Sequence, residues 1–172
     1  MAAKWGRSMF RFRGALICCC LFISACVAAP TIVSTFNPQE AEFINKQGSG
    51  SISGQAFLRR NDGIVVYAAG SDVVLIPRTA YATERMNALY RGGKFNNMVP
   101  NPTTTDPRYV EMIRKTRADG EGRFRFDNLA AGQYYITTTV SWRAGDASQG
   151  GNLMEAATIA EGENLDLIMT GQ

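Results

Sequence analysis

Thr116-Arg-Ala-Asp119-Gly120-Glu-Gly122-Arg-Phe124-Arg-Phe126-Asp-Asn-Leu129-Ala-Ala-Gly132-Gln-Tyr134-Tyr-Ile136 is the stretch that decides the fold. Arg123-Phe124-Arg125-Phe126 alternates charged and aromatic residues. A period of two places successive side chains on opposite faces of a strand, so the rings face a core and the arginines face water. Asp119-Gly120 makes a hairpin turn, and Gly122 relaxes the start of the strand. Leu129 plugs a corner between sheets, and Gly132 admits the turn into a second strand. On that strand Tyr134, Ile136, Thr138, Val140 and Trp142 share one face, while Tyr135, Thr137, Thr139 and Ser141 share the other.

The same pattern continues outward in both directions. Upstream, Ile52, Gly54, Ala56 and Leu58 alternate with Ser51, Ser53, Gln55 and Phe57. Arg59 to Gly63 is a turn, Ile64 to Tyr67 a second strand, and Asp72 to Pro77 a third. Downstream, Leu153–Ile159 and Leu165–Met169 are strands joined by Glu161-Gly162-Glu163-Asn164. Ile113 to Ala118 is one more. Two segments break the two-residue period. Asn37-Pro38-Gln39-Glu40 reads as a helix start, with Asn37 as cap and Pro38 in the first turn. Thr79 to Arg91 reads as a second helix, stopped by Gly92-Gly93. A polar, proline-containing loop from Lys94 to Asp106 follows, and its composition predicts that it buries little and orders weakly. Pro107 to Met112 is one helical turn or an extended lead-in. Together these signals predict an all-β fold: an antiparallel β-sandwich of seven or eight strands, with a short N-terminal helix and an insertion over residues 79–107.

The motif from Thr116 to Ile136 resembles the carboxypeptidase regulatory-like domain. That family is a transthyretin-like (prealbumin-like) sandwich, related to the B-type repeats of bacterial collagen adhesins. Gly50-Ser-Ile52-Ser-Gly54-Gln-Ala56 resembles its first strand, and Gly70-Ser-Asp-Val73-Val-Leu75-Ile-Pro77 its next core strand. The resemblance implies a sandwich domain over residues 49–172. Each residue of the motif has a structural task, so it points to a fold and not to a chemistry.

The N-terminus carries a separate message. Lys4, Arg7, Arg11 and Arg13 precede the apolar run GALICCCLFISAC at 14–26, which together make a secretory signal. Ile23-Ser24-Ala25-Cys26 resembles the lipobox of bacterial lipoproteins. The resemblance implies a signal peptide over residues 1–25, cleavage before Cys26, and acyl chains on that cysteine. Val27 after it resembles outer-membrane sorting. Residues 26–48 then form a lipidated tether, running through residue 36, and a short helix. Two other readings stand beside this one. Val27-Ala28-Ala29 offers an ordinary cleavage site. The apolar run from Ala15 to Ala29 also suggests an anchor, although it falls short of the ~20 residues that span a bilayer.

Processing changes the composition. Cys18, Cys19 and Cys20 leave with the signal, so the remaining 147 residues keep Cys26 alone and have no disulfide. The full chain carries +3, but without residues 1–25 it has 14 basic against 15 acidic side chains. No broad footprint for nucleic acid remains. The chain contains no histidine. That removes Ser–His and Cys–His catalysis and argues against zinc, copper and haem. Asp119-Gly120-Glu121-Gly122 lacks the ligand spacing of a calcium loop.

These readings predict a lipid-anchored envelope protein of the outer membrane, facing the periplasm or the surface, without a cofactor and without catalysis. Its expected role is a structural or protein-interaction module with an envelope protein as partner. A carbohydrate or peptidoglycan binder is the alternative, with Tyr81, Tyr90, Phe95 and Tyr109 as a candidate exposed aromatic surface. A carboxylate-dependent enzyme is third.

Overall fold

The structure is a computed structural model and describes Met1 and residues 28–102 and 104–172. In chain order its elements are α1 (Pro38–Ala41) running into a 3-10 turn (Glu42–Asn45), β1 (Gly50–Arg59), β2 (Val65–Tyr67), β3 (Asp72–Pro77), α2 (Ala80–Tyr90), β4 (Phe95–Asn96), α3 (Pro107–Glu111), β5 (Arg114–Arg117), β6 (Arg123–Leu129), β7 (Gly132–Ala144), β8 (Ala147–Ile159) and β9 (Asn164–Met169). The expected signal peptide, with its lipobox-like end and Cys26, lies outside the described residues. Among those described, no helix is long and apolar enough to cross a membrane.

The strands form the two sheets of a β-sandwich. β1 is central in the first. It pairs antiparallel with β6, placing Ile52 opposite Phe126 and Gly54 opposite Phe124, and β2 continues along its far end. On its other edge β1 pairs in parallel with β9. The second sheet has the order β4-β8-β7-β3-β5. Its spine is the β7–β8 hairpin, paired from Gly132–Ile159 to Ala144–Ala147. The alternation read from the sequence holds: Ile52, Phe124, Phe126, Ile136, Val140 and Leu153 are buried between the sheets, and Arg123 and Arg125 are exposed. The arginines pair along the wet face with Glu121 and Asp127.

Four expectations are corrected. There are nine strands among the described residues, not seven or eight; the extra strand is the two-residue β4, which the loop after α2 adds to the edge of β8. The sandwich is not wholly antiparallel, because β9 runs parallel to β1. The Asp119 turn does not close a hairpin within one sheet. β5 pairs with β3 and β6 with β1, so the turn carries the chain across the sandwich. Asp119 Oδ1 holds it by accepting from Glu121 N at 2.8 Å and Arg123 N at 2.9 Å. Gly122 sits there at φ +73°, and a Cβ would lie 2.4 Å from the Ala56 carbonyl, so no other residue fits. Finally, the 94–106 loop is not weakly attached. Asn96 and Pro102 are buried, and Val99 packs on a second apolar cluster.

That second cluster makes a third layer. α2 is capped by Thr79, whose Oγ1 accepts from Ala82 N at 3.1 Å. It lies on the outer face of the second sheet and buries Tyr81, Met86, Leu89 and Tyr90 against Ile76 and Tyr135. Phe36 completes the cluster, edge-to-face with Tyr81 and with Tyr109, each at 5.7 Å. The chain before Phe36 is docked as well. The Glu84 carboxylate on α2 accepts from the Val33 and Ser34 amides at 2.9 Å and from the Ser34 hydroxyl. The segment expected to be a tether through residue 36 is therefore part of the folded body by Ser34.

Candidate functional site

α2 covers only part of the outer face of the second sheet. Tyr135, which points outward from β7, lies under the helix and its hydroxyl donates to Thr83 Oγ1 at 3.3 Å. The next outward positions on β7 are Thr137, Thr139 and Ser141, and here the cover gives way to a cleft. The local cause is residue size: short hydroxyl side chains fill the positions where a core would need large apolar ones.

The cleft holds about 430 Å³, within the range of small-ligand sites. Its floor is Thr137, Thr139 and Asn152; its walls are α2, the loop after it, and α3 with the start of β5. A second hollow of about 660 Å³ adjoins it, sharing Asn96, Thr139 and Asn152 and extending to Ser141, Ser148 and Gln149. Two features shape the junction. Asn96 folds the loop about itself: its Oδ1 accepts from Met98 N at 3.1 Å and Val99 N at 2.8 Å, and its Nδ2 donates to the Val99 carbonyl at 2.9 Å. Gly151 lets the loop lie flat on β8, since a Cβ there would meet the Asn96 carbonyl at 2.6 Å and the Phe95 ring at 2.8 Å. Thr139 Oγ1 donates to Asn152 Oδ1 at 2.7 Å across the β7–β8 pair, leaving the Asn152 amide N–H groups for other acceptors.

The cleft is polar along its floor and apolar on one side, where Leu89, Tyr90, Tyr109 and Ile113 contribute. Burial raises the Tyr90 and Tyr109 phenols, so both stay protonated. The Tyr90 hydroxyl donates to the Leu153 carbonyl at 3.3 Å. Three charged side chains also line the cleft: Asp72, Lys115 and Arg85. Asp72 lies 3.8 Å from Arg117 across the β3–β5 pair. Among the described residues, no group of three or more His, Cys, Asp or Glu side chains could hold a metal.

The aromatic residues singled out from sequence are not exposed platforms. Tyr81, Tyr90 and Tyr109 are 5–7% exposed in the outer cluster, and Phe95 packs half-buried against the sandwich core. They fill the third layer because α2 needs a buried face, and Tyr90 and Tyr109 also line the cleft. The polar residues on the floor were missed. Their signal is the run of hydroxyls at alternate positions 137, 139 and 141, on the face opposite the apolar positions of the same strand.

No protein-family model matches the chain, and no curated protein matches it. Among solved structures, the chain is similar to a Pseudomonas aeruginosa protein whose crystal structure is described as that of a "putative carbohydrate binding protein". The likeness has a TM-score of 0.68 at 25% sequence identity, over 80% of this chain and 98% of that one.

Proposed function

We propose that this chain is a non-catalytic, lipid-anchored module of the bacterial cell envelope, with a carboxypeptidase regulatory-like, transthyretin-like sandwich that binds saccharide in the cleft over β7 and β8. The observation that carries this reading is the cleft floor. Thr137, Thr139 and Asn152, with Asn96 and Asn101 above them, set hydroxyls and amides beside the apolar edges of Leu89 and Tyr90. A sugar presents the same combination, hydroxyls around its rim and C–H groups on its faces. The description of the similar structure supports the same ligand class. Hydrolysis of a glycosidic bond ordinarily takes two carboxyl groups. Asp72 is the one carboxylate among the described residues that line the cleft, which supports binding without turnover. The anchor is supported by the lipobox at Ile23–Cys26 and by the basic n-region before it.

A glycan array probed with the full chain in detergent tests the ligand class. Binding is expected, and Thr139→Val and Asn152→Leu should each weaken it about fivefold or more, the effect of one lost hydrogen bond. No retained saccharide would overturn the reading. Capture of an envelope protein by the outward side of the first sheet, where Tyr67 and Ile168 are exposed, would favour a protein-interaction module instead.

A further inference from the structure

Arg85 is the anomaly of this molecule. It sits on the buried face of α2 and is 7% exposed. Its guanidinium carbon lies over two rings, 5.6 Å from the centre of Tyr81 and 5.1 Å from that of Tyr109. Nη1 reaches the Thr104 carbonyl only at 3.5 Å. Nε is buried and has no acceptor among the described residues. No carboxylate among them pairs with this side chain, whose charge arginine does not lose. Its polar neighbours are the Thr104 carbonyl and the Tyr109 phenol, and a buried charge served only by neutral groups is expensive, with an unmet donor adding to the penalty. The rings offset part of it by cation–π attraction. Arg85 lines the cleft. Lys115 lines it as well, and the nearby Asp72 already has Arg117 beside it.

We propose that the cleft is built for an acidic saccharide, and that the Arg85 guanidinium receives its carboxylate. This rests on the saccharide reading above and narrows it to sugars of the uronic acid class. A carboxylate has two oxygens in one plane and matches two parallel N–H groups of a guanidinium; no neutral hydroxyl meets both the charge and the fork. The hydroxyls and amides over β7 and β8 then take the ring that bears the acid group. Lys115 adds positive charge on the β5 side of the same cleft.

The test compares two ligands on the full chain in detergent: an α-1,4-linked galacturonic acid trimer and its carboxyl-reduced, neutral counterpart. Calorimetry reads affinity. The Arg85 Nε–H resonance of the 15N-labelled protein, assigned on the unaltered chain by its proximity to the Tyr81 and Tyr109 rings, reads contact without altering the site. The acidic trimer should bind at least tenfold more tightly than the neutral one and shift the Nε–H signal, as a charge-assisted pair requires. Arg85→Lys, which keeps the charge but loses the fork, should reduce that preference severalfold while neutral binding persists. Equal affinity for the two trimers overturns the carboxylate inference and leaves the saccharide reading standing. Failure of both to bind overturns the two together. A trialanine peptide that shifts the Nε–H signal as strongly as the acidic trimer would assign the site to peptide carboxylates and overturn the acidic sugar. The resonance readout on the unaltered protein decides the question even if the variant does not fold.

Discussion

Replacing Phe36 with alanine removes the ring that ties the N-terminal segment to the insertion. Phe36 is 2% exposed and meets Tyr81 and Tyr109 edge-to-face. Truncating a buried phenylalanine costs about 3–5 kcal/mol, with ~0.5–1.5 kcal/mol per aromatic pair contained in that figure. The lower end applies here, because the segment before Asn37 can draw away and let the remaining rings close up. About 3 kcal/mol in a domain near 140 residues lowers Tm by about 10–15 °C. Far-UV circular dichroism on heating gives the shift, and urea titration shows whether the m-value is kept. Val33→Ala, a position 85% exposed in the same segment, is the control and should leave Tm unchanged. A shift of that size requires the outer layer and the sandwich to melt as one cooperative unit. A Phe36→Ala protein that melts within about 3 °C of the parent, while hydrogen exchange of α2 amides accelerates, would refute it by showing a separately melting layer.

Three further outcomes are expected. Cys26→Ala should abolish incorporation of radiolabelled palmitate and release the chain from membranes; an unlabelled parent protein would remove the lipoprotein reading. Phe124→Ala should cost about 3–5 kcal/mol, whereas Arg123→Ala should leave the melt unchanged, and equal shifts would reverse the face assignment of β6. The Glu84 carboxyl is held below the ordinary glutamate value of 4.5, first by the Ser34 hydroxyl and then by the Val33 and Ser34 amides. A lowered folded-state value means that the ionised form favours the docked segment. Docking is therefore complete above 4.5 and lost as pH falls through the lowered value. Exchange protection factors at Val33 and Ser34 should drop in that range, and a flat profile would contradict the clasp.

Two-residue alternation made the sandwich legible. Phe124 and Phe126 with Arg123 and Arg125, and Ile52 with Ser51 and Ser53, each have one face that water rejects, and the structure buries those faces. Alternation says nothing about partners, so the parallel pairing of β9 with β1 and the crossing at Asp119 were hidden. The helix at Thr79 was legible from its cap and spacing, but its packing was not. Its buried face contains Arg85, which breaks the apolar stripe, and rings at 81 and 90 read equally well as core or as platform. The loop misled for a related reason. Its polar composition describes side chains, whereas Asn96 orders it through contacts with the loop's own backbone. The cleft was the least visible part, because a floor of threonine and asparagine is defined by where α2 stops, and that boundary is set by tertiary packing.

The parallel pairing governs the order in which this protein can become a folded object. Ser51 and Asn164 face one another across β1 and β9, yet they stand 113 residues apart in the chain. Until residues 164–169 have been delivered, β1 has a bare edge along its most buried half, and Met169, fully buried in the finished core, is missing from it. Contacts of such separation form late and slowly, because the loop must close before they contribute. A chain synthesised from its N-terminus therefore has no complete first sheet for most of its length. Under the export proposed above, this topology would keep the polypeptide pliable during transit and hold back its final locking step.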